Sequence, residues 1–128
     1  MPARLLRNSL SWAGHDAPIV MHNSQCIMHN CNPNLPVGVF DDYTYSLQET
    51  QIAPGSTIFL YTDGLTEAMN SAHRLFGLER IESVLGSCTD LQPKDMLEKM
   101  TEAVHAYVKD AEQSDDLTMM AVRYTPQQ

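Results

Sequence analysis

No stretch of this sequence approaches the roughly 20 consecutive apolar residues that a helix needs to span a bilayer. The first ten residues hold two arginines and no apolar run of signal-peptide length. A membrane-spanning or secreted protein is therefore not expected. Cysteine is also scarce: only Cys26, Cys31 and Cys88 are present. An odd number without a signal peptide argues against a disulfide framework and fits a reducing cytoplasm. Positive charge is short as well, with 8 Lys and Arg against 16 Asp and Glu and a net charge of -8. Such a surface repels nucleic-acid phosphates and anionic lipid, so neither is an expected partner. It attracts divalent cations, but only a defined cluster of carboxylates would hold one. Internal repeats and low-complexity tracts are missing too. What is present is a 128-residue chain that is 43% hydrophobic, enough for one domain with a core of its own.

The first half reads as strands and turns. Leu10–Trp12 and Pro18–Met21 are short apolar pieces around Ala13-Gly14-His15-Asp16, and Cys26–Met28 is a third, which together predict a meander. Asn30–Pro36 is a loop, rich in asparagine and proline. Tyr43, Tyr45 and Leu47 alternate with Thr44, Ser46 and Gln48, the period of a half-buried strand. Pro54-Gly55 marks a turn before Thr57–Tyr61, an uncharged β-branched and aromatic run expected in a central strand covered on both faces. The second half turns helical. Leu78, Ile81, Val84 and Leu85 share one face and Gly86 ends that helix. Pro93 suits the first turn of the next. That helix carries Met96, Leu97, Met100, Val104, Tyr107 and Val108 on one stripe. Leu117–Tyr124 is a closing strand. The fold class is α+β, mainly antiparallel strands with two helices on one face. Two helices cover one side of a sheet only, so the other face needs a partner.

Two strand ends carry carboxylates. Asp63 ends the Thr57–Tyr61 strand, with Gly64 giving the backbone room to turn, and Asp115-Asp116 precede the closing strand. If these strands are antiparallel neighbours, the three carboxylates meet at one rim. Such a cluster needs a neutralising cation, and an all-oxygen set suits a hard divalent ion. The plainer reading gives Asp63 to a turn and the Asp pair to a strand cap. Of the zinc-ligand types, His22, Cys26, His29 and Cys31 lie close together, but their spacing matches no standard zinc pattern and a polar hairpin is the simpler reading. His15 either lines a site or bonds to the backbone. Glu67 is placed at the start of a short helix as a capping residue. The eight methionines, mostly on the second helix and last strand, read as core filler.

The run Leu60–Ala68, LYTDGLTEA, resembles the YTDGxxEA signature of PPM-type metal-dependent Ser/Thr protein phosphatases, in the SpoIIE/RsbU branch. Four further stretches follow that family's order. Ala13-Gly14-His15 is similar to its NAGH turn and Leu35–Val39 to its LPLGV loop. Phe76–Arg80 is similar to FGxERL, and Asp115–Thr118 to DDxT. Five motifs in order across residues 10–124 are a specific signal, covering nearly the whole chain but only the second half of that family's domain.

The resemblance implies part of a PPM-type α-β-β-α sandwich. Residues 1–9 are then a lead or a remnant, 10–124 the C-terminal part of the phosphatase domain, and 125–128 a tail. It implies Asp63 and Asp115 as metal ligands, Gly64 and Asp116 beside the metal, and His15 as a possible lining residue. No catalytic residue beyond the metal ligands is implied. The cofactor would be Mn²⁺ or Mg²⁺ in a two-metal centre, hydrolysing phosphoserine or phosphothreonine without a covalent intermediate. The partner would be a phosphorylated regulatory protein such as an anti-sigma-factor antagonist. The family's upstream GDxxD and DxxGKG-like segments do not occur here. This chain alone is therefore expected to be almost inactive, and a non-catalytic interaction module is the alternative. Strands deprived of neighbours also make a homodimer an expectation.

Overall fold

The computed structural model describes residues 6–10, 16–23, 25–28, 34–112 and 116–127. The elements run β1 (Leu6–Leu10), β2 (Ile19–His22), β3 (Gln25–Met28), β4 (Gln48–Ile52), β5 (Thr57–Tyr61), α1 (Asp63–Thr66), α2 (Gly77–Gly86), α3 (Pro93–Val108) and β6 (Met119–Arg123). Strands β3-β2-β5-β6 form an antiparallel sheet, and β1 pairs with β4 in a separate two-stranded sheet. The mixed α+β class with helices on one side of an antiparallel sheet is as the sequence led us to expect. The simple meander is not: β2 and β3 form a hairpin, but the first strand crosses to β4.

The register of the larger sheet sorts its residues onto two faces. Ile19, Phe59 and Ala121 lie across from one another, as do Tyr61 and Met119. Phe59 and Tyr61, two residues apart, stack at 5.8 Å on this inner face. It packs on Leu65, Ile81, Leu85, Met96, Met100 and Val104 from the helices and on Phe76, just before α2. Pro93 in the first turn of α3 needs no N–H there, and the following Met96, Met100 and Val104 fall one turn apart, which is why all three are buried.

The outer face is different. Val20 is buried, Ile58 and Leu60 are half-buried, and Ile27, Met120 and Val122 are 51%, 55% and 42% exposed. The expectation that β5 is covered on both faces is thus corrected: its inner residues are buried and its outer ones are not. Met120 likewise departs from the core-filler reading.

The strand expected over Tyr43–Leu47 does not form; β4 starts at Gln48. Asn34 supplies the reason. Its buried side-chain oxygen accepts from the Ser46 amide at 3.0 Å, the Ser46 hydroxyl at 3.2 Å and the Tyr43 hydroxyl at 3.3 Å, while its amide donates to the Ser46 carbonyl. These side-chain bonds replace a sheet neighbour, so the tyrosines sit in an ordered loop, with their rings edge to face.

Candidate functional site at the rim of β5 and β6

The site is built where the end of β5 lies beside the start of β6. The ladder pairs Tyr61 with Met119 and continues one step further. Thr62 donates its amide to the Thr118 carbonyl at 3.1 Å, and the Thr118 amide reaches the Thr62 hydroxyl at 3.4 Å. The chain then leaves the sheet. The Leu65 amide turns back onto the Thr62 carbonyl, Glu67 onto Asp63, and the Thr66 hydroxyl onto Asp63, which closes the single turn α1. Leu65, fully buried, anchors that turn in the core. Asp63 is therefore held by its backbone while its carboxylate is exposed.

Gly64 has a definite steric reason. A Cβ there would collide with the Asp116 carbonyl oxygen and lie 2.8 Å from its carbon. The turn after Asp63 thus presses against the backbone of Asp116 and Leu117. Glycine is needed for close approach of two segments of the chain, not for a left-handed conformation. The same contact brings Asp63 and Asp116 segments to one rim, the juxtaposition expected from antiparallel neighbours. Asp115 and His15 lie outside the described residues. Glu67 does not start α1, but sits at its C-terminal end, because the helix begins at Asp63 itself.

The donor set at this rim is carboxylate and carbonyl oxygen, which suits a hard divalent cation. Among the described residues no three His, Cys, Asp or Glu side chains converge to hold a metal ion. Among the described residues the oxygen donors fit one corner of a metal centre and do not close it. The four-residue zinc-type group is not assembled among the described residues either. His22 Nδ1 is 3.1 Å from the Ser56 hydroxyl, Cys26 Sγ faces the Glu82 carbonyl, and His29 and Cys31 lie outside. Burial, then Glu82 nearby, pushes the Cys26 thiol above its ordinary value.

The sequence resemblance assigns no role to Thr62 and Thr118. Thr62 adjoins Asp63 and Thr118 follows Asp116 by two residues, and each completes hydrogen bonds that pin the rim. Tyr61, just inside, is buried; desolvation, then Asp16 and Glu82, raise its hydroxyl from 10.0 to about 12.

Comparison with known proteins agrees with this architecture. Protein IcfG of Synechocystis is 30% identical over 111 residues, covering 86% of this chain and 17% of that protein. The SiaA-PP2C domain of Pseudomonas aeruginosa superposes with a TM-score of 0.70 at 20% identity, over 84% of this chain and 43% of that one. The PP2C phosphatase domain of SpoIIE from Bacillus subtilis, with a fragment of its regulatory domain, gives 0.72 at 18% identity, over 92% and 34%. The chain thus spans less than half the length of each. The family model for stage II sporulation protein E matches residues 7–125, so that this chain belongs to the SpoIIE family of PPM-type phosphatase domains.

Proposed function

We propose that this chain forms the C-terminal part of a Mn²⁺- or Mg²⁺-dependent protein phosphatase domain that acts on phosphoserine or phosphothreonine of a regulatory protein, an anti-sigma-factor antagonist being the model substrate. The observation that supports the reading is the close approach of Gly64, next to Asp63 in the chain, to the backbone of Asp116 and Leu117. In this reading Asp63 and Asp115 hold metal, and Asp116 lies beside it. Thr62 and Thr118 fix the distance between the two segments. Gly64 lets them approach. Bound metal would supply a water of lowered pKa and offset charge on the phosphoryl group. The remaining ligands would come from sequence like the GDxxD and DxxGKG segments, and His15 would line the site. The acidic surface and the absence of a long apolar helix among the described residues support a cytoplasmic setting, with a protein partner rather than nucleic acid or membrane.

The test is metal binding and phosphatase assay with a phosphoserine peptide, on this chain and on a polypeptide extended upstream. Activity of the extended protein that chelator abolishes and Asp63→Asn removes is expected. An extended protein that is inactive in Mn²⁺ and Mg²⁺ would favour the second reading, a non-catalytic interaction module. That reading draws on the lack of a closed ligand set among the described residues.

A further inference from the structure

We infer that the outer edge of β6 is a self-pairing surface, where a second copy of this chain adds its own β6 antiparallel to extend the sheet. Among the described residues β6 ends the sheet order β3-β2-β5-β6. The hydrogen bonds at its two ends fix which backbone groups face inward. Thr118 accepts from Thr62 at one end, and Tyr124 donates to Ser56 at the other. Both are even-numbered, and strand residues alternate, so the even positions use their N–H and C=O on β5. Met119, Ala121 and Arg123 therefore turn their N–H and C=O toward the open edge.

A two-fold axis at Ala121 makes this edge self-complementary. Ala121 then exchanges both backbone bonds with its copy, and Met119 does so with Arg123. Met120 stands across from Val122 in the close, non-hydrogen-bonded pairing. These two side chains are 55% and 42% exposed and lie on the same outer face, so pairing buries apolar surface against apolar surface. The charges agree with that register. Residues 117–122 are uncharged. Asp116 falls opposite Pro126, not a second carboxylate. The two Arg123 side chains stay apart, each bonded to its own Thr57 hydroxyl and Leu91 carbonyl. The strand has no proline and no lysine to blunt the edge, and its one charge, Arg123, lies on the inner face at the strand's end. A register related by a two-fold makes a closed dimer, not a filament.

Sedimentation of the 128-residue chain under reducing conditions tests this, with amide exchange as a second readout. We expect a reversible dimer of twice 14.4 kDa, with slowed exchange at Met119, Ala121 and Arg123 as concentration rises. Ala121→Pro removes an outward N–H without touching the β5 ladder, and Met120→Lys puts a charge on the paired face. Each should shift the chain to monomer, while Leu47→Lys, at an exposed residue outside this sheet, should not. If Ala121→Pro fails to fold, Met120→Lys alone decides. A chain monomeric at all concentrations overturns the proposal. So does a dimer that survives the folded variants, or one whose three edge amides exchange as fast as in the monomer. None of these outcomes depends on phosphatase activity, so this proposal and the functional reading fail separately.

Discussion

Gly64 is the residue at which sequence, packing and site meet. Its neighbour Asp63 is exposed, while Gly64 itself lies against the Asp116 backbone where a Cβ would collide. Gly64→Ala forces a methyl group into a carbonyl that belongs to a rigid strand entry. Overpacking of this kind costs about 1–3 kcal/mol. Chemical denaturation should show that loss, and metal binding at the rim should weaken in the same variant. Asp63→Asn should leave stability nearly unchanged, since the side chain is exposed, yet weaken Mn²⁺ binding in a complete domain; Asp116→Asn should weaken it less. Equal damage from both would mean that Asp116 is itself a ligand. Tyr61 makes a separate prediction about pH. Its hydroxyl is raised from 10.0 to about 12 in the folded chain. Between those values the folded state holds a proton that the unfolded state has lost, so stability falls as pH rises through this window. Tyr61→Phe should flatten that fall in denaturation experiments carried out from pH 10 upward. An unchanged slope would show that another group governs alkaline unfolding.

At the scale of elements, the Asn34 side chain ties the two ends of the loop from Asn34 to Ser46 together. Asn34→Ala removes an acceptor shared by three donors and leaves the Ser46 amide without that partner. Losing a buried hydrogen-bond partner costs about 1–3 kcal/mol. Amide exchange at Ser46 should accelerate well before global unfolding; protection that persists would place the loop's order in the tyrosines instead. This loop also marks where the sequence was misleading. Tyr43, Tyr45 and Leu47 have the period of a strand, but period reports which side chains share a face and not whether a neighbouring strand exists. The true strand, Gln48–Ile52, is mostly polar and lacks the apolar alternation that makes strands visible, although its ladder with β1 is complete from Leu6↔Ile52 to Leu10↔Gln48. The helices were legible for the opposite reason. Pro93 and Gly86 mark their ends, and the spacing of Met96, Met100 and Val104 can be satisfied by a helix alone. The rim itself was legible because motif order put Asp63 at one strand end and the Asp pair before the other. The close approach at Gly64 was not, since it depends on a long-range contact between residues 52 positions apart (64 and 116).

For the molecule as a whole, the asymmetry of the two sheet faces decides what can be expected of the chain in solution. The inner face closes a core under α2 and α3. On the outer face Ile27, Met120 and Val122 remain largely in water, with Ile58 and Leu60 only half-covered. Leaving apolar surface exposed forgoes about 25 cal/mol per Å² relative to burying it. A sheet-on-sheet sandwich would recover this by laying a second sheet about 10 Å above the first. The chain covers 34% of the Bacillus subtilis SpoIIE chain and 43% of the SiaA chain it resembles, so sequence beyond these residues is available in such relatives to provide the cover. The expected behaviour of the 128-residue chain follows from both deficits together. It should fold around its inner core and bind an apolar dye such as ANS. It should hydrolyse a phosphoserine peptide barely above background in Mn²⁺, because the described residues at the rim do not close a ligand set. A polypeptide extended upstream should lose the dye binding and gain chelator-sensitive turnover in parallel, since the same added segments would cover the outer face and supply ligands. If dye binding disappears without any turnover, the added segments complete the sandwich but not the metal centre, which is the behaviour of an interaction module. If the 128-residue chain turns over substrate robustly by itself, Asp63 and its neighbours form a sufficient site, and the idea of ligands supplied from upstream is wrong.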